Sequence, residues 1–257
     1  MSTLAGRRAL ICGASRGIGR AVAEALADAG ATILGLARER TRLQALLDGL
    51  PGTGHRALAV DLRDAGAVTA AVSAALAEGP IHILLNNSSG PPPGAILPAT
   101  ESALLATFDQ QLLAAHRLTQ LLVPGMQQAR WGRVINIIST SVKEPIRGLG
   151  VSNTIRGAVA SWAKTLATEV AADGITVNNV LPGYTRTDRL GEIITERARR
   201  TGESIEQVEA ALRAHVPMAR FAEPAEVAAA VAFLASPAAG YITGINLPVD
   251  GGRTQSL

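Results

Sequence analysis

Gly13-Ala14-Ser15-Arg16-Gly17-Ile18-Gly19 is the stretch whose reading decides the fold. It follows the apolar run Ala9-Leu10-Ile11-Cys12 and opens into Ala21-Val22-Ala23-Glu24-Ala25-Leu26-Ala27, an amphipathic helical pattern that ends at Gly30. The order is strand, glycine loop, helix. Glycine accepts a positive φ and lets a ligand approach a backbone that carries no Cβ, while the first turn of the helix offers unpaired N–H groups to an anion. A pyrophosphate suits such a turn. Three glycines between a strand and a helix can also serve tight packing alone, but the segments on either side agree with the nucleotide reading.

Outward from this loop, apolar runs alternate with helical patterns. Ala31–Ala37 reads as a short buried strand and is followed by a polar helix through Leu50; His55–Val60 is a third strand ending at Asp61. A helix over 64–78 precedes the strand Ile81–Asn87, and the Gly- and Pro-rich loop Ser88–Pro98 leads to a long helical region over about 101–129, ending near Gly125. Strand Gly132–Ile138, a helix over about 152–173, strand Ile175–Leu181, a charged helical insertion over about 185–217, a helix over 224–235 and a strand over 244–249 complete the chain. Strands separated by helices of ten or more residues predict parallel pairing through right-handed crossovers. The expectation is one α/β domain over 1–257, a three-layer doubly wound sheet of about seven strands in the Rossmann-like manner.

Composition agrees. Of the 257 residues, 47% are hydrophobic and only 3% aromatic, so Ala, Leu, Val and Ile build the core. The formal charge is +3, yet lysine and arginine are scattered, which argues against nucleic acid as a partner. The start of the chain, Met1–Arg8, shows no apolar signal segment, and no uninterrupted apolar run has the length of a membrane span. The single Cys12 forms no internal disulfide and fits a cytoplasmic setting, where it reads as a small hydrophobe. No His/Cys/Asp/Glu spacing suggests a metal site.

In doubly wound sheets ligands bind beyond the carboxyl ends of the strands. The segments found there are the glycine loop, Ala37-Arg38, Asp61-Leu62, Asn86-Asn87-Ser88-Ser89-Gly90, Ser139-Thr140-Ser141 and Pro182-Gly183-Tyr184-Thr185-Arg186-Thr187; Tyr241-Ile242-Thr243-Gly244 and Val249-Asp250-Gly251-Gly252 lie near the C-terminus. Taken in order, they resemble the short-chain dehydrogenase/reductase family over essentially the whole chain, closest in flavour to its 3-oxoacyl-carrier-protein reductase-like members. The resemblance implies a dinucleotide held by Gly13, Ser15, Arg16, Gly17, Ile18 and Gly19, by Arg38, by Asp61 and Leu62 at the adenine, by Asn87 and Arg156, and by Pro182, Gly183, Thr185 and Thr187 at the nicotinamide. Charge selects the cofactor. An acidic residue at the end of the second strand would favour NAD, whereas Arg38 there and Arg16 in the glycine loop present two guanidiniums to a 2′-phosphate, so NADP(H) is expected.

The catalytic end departs from the pattern. The family's set is Asn, Ser, Tyr and Lys, and counting back from Ala163-Lys164-Thr165 puts the Tyr position on Ser152 and the Lys position on Arg156, with Ser139 in the Ser position. Counting back from Pro124-Gly125-Met126 puts the Asn position on Gln111, or on Gln110 if the register slips by one. A phenol begins near pKa 10 and an alkyl hydroxyl several units higher, each unit about 1.4 kcal/mol, and Ser152 is roughly 4 Å shorter than tyrosine. Ser152 is therefore no simple substitute. Arg156 keeps a positive charge and can bind ribose hydroxyls, but does not shuttle a proton as lysine does.

Tyr184, Lys143, His116 and Asn153 are weighed as other polar groups near the site, each with a packing or solvent-exposed alternative, and Arg186 and Arg189 as partners for an anionic group. The expected activity is NADP(H)-dependent oxidoreduction of a carbonyl or alcohol, either a 3-oxoacyl thioester or a small ketone. The alternative keeps the cofactor but serves lyase, isomerase or nucleotide-sensing chemistry. The resemblance further implies a substrate lid over about 185–217, here read as a solvated helical pair, and assembly into a homotetramer or homodimer.

Overall fold

The computed structural model describes residues 3–256; Met1 and Ser2, part of the start read above as lacking a signal segment, and Leu257 lie outside the described residues. Seven strands form one parallel sheet: β1 (Arg8–Cys12), β2 (Thr32–Ala37), β3 (Arg56–Ala59), β4 (Ile83–Asn86), β5 (Gly132–Ile137), β6 (Ile175–Pro182) and β7 (Asn246–Val249). Their order is β3-β2-β1-β4-β5-β6-β7, so the chain reverses direction across the sheet between β1 and β4. Side chains alternate along each strand, which divides the core in two. Ala9, Ile11, Ile33 and Leu85 face α1 (Gly17–Asp28), α2 (Arg40–Asp48) and α9 (Pro224–Ala235). Leu10, Leu34, Leu84 and Val134 face α3 (Ala65–Leu76), α5 (Ala114–Gln128) and α6 (Gly150–Val170). Both faces are covered by helices, which is why the strands read as apolar runs and not as alternating patterns.

At the carboxyl end of the sheet the second face turns polar. Asn86 donates to Asn136, Asn136 to Asn179 and Asn179 to Asn246, each Nδ2–Oδ1 distance 2.8 Å. The partners are opposite one another in the strand registers, so one amide ladder crosses four strands. A buried amide without partners would cost roughly 1–3 kcal/mol. Any slip of register would leave such amides unpaired.

The amino-terminal edge of the sheet is closed differently. Trp131 lies between two guanidiniums, Arg7 at 4.1 Å and Arg133 at 4.3 Å from its ring centre, and His82 meets its edge. Arg133 is 2% exposed, and burial, together with the charge of Arg7, pushes its pKa down to about 10.

The long helical region differs from expectation in two ways. It consists of α4 (Glu101–Phe108) and α5 joined by a π-turn over Asp109–Leu113, and it continues through Pro124 to Gln128 instead of ending near Gly125. Residues 185–217 hold α7 (Asp188–Thr201) and α8 (Ile205–Ala214). They are not merely a solvated pair. Leu190, Ile194, Val208, Leu212 and Phe221 are buried together, with Tyr184 packed against them, as a small core separate from the two sheet faces.

Candidate active site

A cavity of about 480 Å³ opens at the carboxyl end of the sheet, over the β1/β4 switch. Its lining includes Gly13, Ser15, Arg16, Gly17 and Ile18 from the first turn, Arg38 after β2, Asp61 and Leu62 after β3, Asn87 after β4, Arg156 of α6, and Pro182, Gly183, Thr185 and Thr187 after β6. Segments far apart in sequence thus converge as expected. Gly13 has φ +65° and Gly17 has φ +55°, the left-handed region that favours glycine. A Cβ on Gly17 would stand 3.2 Å from the Thr187 methyl, so the loop after β6 lies directly over the turn.

Gly19 is the exception among the expected cofactor residues, since it is buried and does not line the cavity. A Cβ there would come within 2.2 Å of the Gly13 carbonyl oxygen. Its function is to let α1 pack against its own loop. Arg16, at the N-cap, supplies no side-chain cap, and the first turn of α1 holds no acid, which leaves N–H donors and the positive end of the helix dipole directed at the cavity. That donor set fits a pyrophosphate.

The charges lining the cavity are five arginines and three carboxylates. Asp61 pairs with Arg63 at 2.7 Å, Asp188 with Arg16 at 3.3 Å, and Glu192 with Arg189 at 3.2 Å. Arg38 and Arg156 make no ion pair among the described residues. The bond to Arg63 holds the Asp61 carboxyl below its ordinary range. Arg16, expected to act beside Arg38, is shared with α7 through Asp188.

The expected catalytic residues separate. Of Ser139, Ser152, Arg156 and Gln111, only Arg156 lines the main cavity. Its Nη1 donates to the Ile137 carbonyl at 2.8 Å, and burial, then the nearby Arg189, push its pKa down to about 10. Ser139 accepts a bond from the Ser141 amide at 3.1 Å, because its hydroxyl caps the single 3₁₀ turn over Thr140–Val142. Ser152 is half-buried in the first turn of α6, one turn before Arg156. Gln111 is 8% exposed and instead lines a 20 Å³ cavity, the size of one water molecule, together with Arg156, Asn86 and Asn136.

Two successive glutamines of the π-turn serve one target. Gln110 Nε2 donates to Ser89 Oγ at 3.1 Å and Gln111 Nε2 to the Ser89 carbonyl at 3.2 Å. Gln110, the residue reached by the one-place slip, lines both cavities. Arg63, Leu190, Glu192 and Ile193 also line the main cavity and were not singled out in the sequence. The Gly- and Pro-rich loop Ser88–Pro98 was the signal for Ser89, but no local pattern pointed to the lid residues.

Lys143, His116, Asn153 and Arg186 lie outside the lining, whereas Tyr184 and Arg189 belong to it. Tyr184 meets the Phe221 ring edge-on, with centroids 6.0 Å apart. Arg186 is engaged elsewhere, by Glu223 at 3.0 Å and by the Phe221 ring.

Known proteins agree with this geometry. A family model described as Enoyl-(Acyl carrier protein) reductase matches residues 13–254. The chain belongs to the short-chain dehydrogenase/reductase family. Among members of the family, 3-oxoacyl-[acyl-carrier-protein] reductase FabG of Vibrio cholerae serotype O1 is 36% identical over 252 residues, 97% of this chain and 98% of that protein. Oxidoreductase UcpA of Salmonella typhimurium is 35% identical over 260 residues, 99% of this chain and 97% of that one. The L-sorbose reductase of Gluconobacter frateurii, solved in complex with NADPH and L-sorbose, superposes with a TM-score of 0.93 at 32% identity, covering 100% of both chains. As a member of this enzyme family, the chain is an oxidoreductase of the dinucleotide-dependent kind. No helix among the described residues is long and apolar enough to cross a membrane.

Proposed function

We propose that this chain is an NADP(H)-dependent reductase of a carbonyl substrate, a small ketone or a 3-oxoacyl thioester, and that it works without a tyrosine–lysine pair. The observation that carries the reading is the charge balance of the cavity. Its three carboxylates each have an arginine, and the two arginines left over, Arg38 and Arg156, stand after β2 and on α6. Arg38 meets the 2′-phosphate that distinguishes NADP from NAD. The L-sorbose reductase, which is named as binding NADPH, supports the same choice.

The cofactor, when bound, supplies hydride to the carbonyl carbon. The chain's own residues do the rest. The glycine turn and the first turn of α1 hold the pyrophosphate; Asp61 and Leu62 border the adenine; Thr185 and Thr187 close over the nicotinamide side. Arg156, one of whose five donors is used by Ile137, binds the ribose hydroxyls and keeps a cation beside the oxygen on which negative charge develops. Ser139 donates a hydrogen bond to the same oxygen, since its cap bond uses the hydroxyl oxygen as acceptor only. Gln111 and Ser152 support this arrangement from the second cavity and from the preceding turn of α6. Residues 185–217 act as the substrate lid. The exposed Leu105, Leu113, Phe233 and Tyr241 offer apolar surface for assembly as a homotetramer or homodimer in a cytoplasmic setting.

The test is NADPH oxidation followed at 340 nm with a panel of ketones and 3-oxoacyl thioesters. We expect turnover with at least one panel member and a loss of about 10²-fold in the Ser139→Ala variant. No oxidation with any member, despite calorimetric binding of NADPH, would reject the reading.

A further inference from the structure

The lid adds a second cation to the substrate end of the cavity. Arg189 is the second residue of α7, where the positive end of the helix dipole disfavours a cation; Arg199 and Arg200 occupy the favourable last turn. Arg189 is nevertheless held in place, with Nη2 donating to the Pro91 carbonyl at 2.8 Å and Nη1 pairing with Glu192 at 3.2 Å. It lines the same cavity as Arg156 and is near enough for its charge to depress the Arg156 pKa. Asp188 does not relieve them, because it is engaged by Arg16. Glu192 balances one of the two charges, so this end of the cavity keeps one positive charge that no carboxylate among the described residues pairs with.

The dinucleotide does not supply that anion. Its pyrophosphate belongs at the first turn of α1, beside β1, and its 2′-phosphate at Arg38. The β2 and β5 positions are three places apart in the sheet, about 14 Å at the usual strand spacing, and Arg156 sits over Ile137 at the end of β5. Ile138, Leu190 and Ile193 contribute apolar lining to the same cavity. A pocket end with apolar side chains and two guanidiniums, Arg156 and Arg189, set against the one carboxylate Glu192 suits a short acyl chain that ends in a carboxylate, which accepts two parallel N–H bonds from one arginine.

We propose that the substrate is an oxo acid whose carboxylate is held by Arg189 against the charge of Arg156. This deepens the reductase reading and rests on it for the carbonyl. Linear oxo acids of four to eight carbons and their primary amides, neutral and nearly isosteric, separate the possibilities when titrated calorimetrically into the NADP⁺-loaded enzyme. For at least one chain length the acid should bind at least tenfold more tightly than its amide. Arg189→Met should bring the two within twofold, Arg189→Lys should keep part of the preference, and NADP⁺ affinity should stay within twofold in both variants. Equal binding of acid and amide, binding of neither, a preference that survives Arg189→Met, or a tenfold loss of NADP⁺ affinity would each overturn the proposal. Parallel turnover assays keep the two readings distinct. Acid-selective binding without NADPH oxidation upholds the carboxylate site and rejects the reductase, while equal oxidation with acids and amides does the reverse.

Discussion

At the scale of single residues, Arg38 and Cys12 show what their surroundings do to side chains of known chemistry. Arg38 is exposed at the mouth of the cavity with no carboxylate of its own, which leaves it available to a phosphate. A charge-assisted fork is worth about 1.5–3 kcal/mol, or roughly 10- to 100-fold in affinity. Arg38→Asp should therefore weaken NADPH at least tenfold and NADH less than threefold in fluorescence titrations; equal losses would contradict a phosphate contact. Cys12 was legible as a small hydrophobe. It is 1% exposed, and burial pushes its thiol up to about 12, so it remains an unreactive thiol at neutral pH. The residues that line the cavity through motifs were legible too, because Gly13, Gly17 and Pro182-Gly183 are fixed by backbone geometry. Gly19 belonged to the same motif but answers to packing. Ser139 and Ser152 could be placed by counting, yet counting cannot reveal that the Ser139 oxygen is used by a turn of its own.

Among the elements, the pair α7 and α8 departs furthest from its sequence. Charged residues dominate 188–214, and they hid the i, i+4 apolar pairs Leu190/Ile194 and Val208/Leu212 that close its small core. Removing two methyl groups from a fully buried valine costs about 2–4 kcal/mol where the surroundings cannot collapse. Val208 is 0% exposed, so Val208→Ala should loosen α7 and α8 against each other. Limited proteolysis should then cut faster in the connection at 202–204 and KM should rise, while the thermal midpoint of the sheet domain moves little. A large loss of global stability would instead make the lid part of the main core. The π-turn at Asp109–Leu113 had no signal in the sequence, since Asp, Gln and Leu are ordinary helical residues; its glutamines bond to the distant Ser89. The C-terminal segment was likewise illegible. Its backbone amides at Gln255 and Ser256 both donate to Glu144, and Arg253 donates to Thr140 while covering the Tyr184 ring, so the last residues brace the loop that follows β5.

On the whole-molecule scale, the parallel pairing and the doubly wound arrangement followed from the alternation of apolar runs and helices, and the observed sheet has seven strands, against about seven expected. The contrast between its two edges did not follow, because it depends on which distant side chains meet. One edge is open and carries the cavity. At the other, His82 is 8% exposed, its Nδ1 accepts from the Arg8 amide at 3.2 Å, and burial, then the charges of Arg7 and Arg8, hold its pKa below the ordinary histidine value. The unfolded chain thus takes up this proton at a higher pH than the folded one. The stabilisation from neutral His82 is complete above about pH 6.5 and is lost as the pH falls toward the folded-state value. The urea midpoint should accordingly drop between pH 7.5 and 5.5, and His82→Gln, which retains an acceptor without the titration, should flatten that drop. An unchanged slope in the variant would place the acid sensitivity elsewhere.

The Arg7–Trp131–Arg133 stack has an optical consequence. The chain has two tryptophans, and this one is held between guanidiniums at the end of the sheet remote from the cavity, whereas Trp162 lies on α6, the helix that carries Arg156, with its indole N–H directed at His116. Trp131 is therefore an emitter blind to ligands that reports only the loss of the fold. Replacing it with phenylalanine would leave Trp162, on the helix beneath the site, as the single tryptophan, and the difference between the two proteins' emission would separate occupancy from unfolding without an added dye.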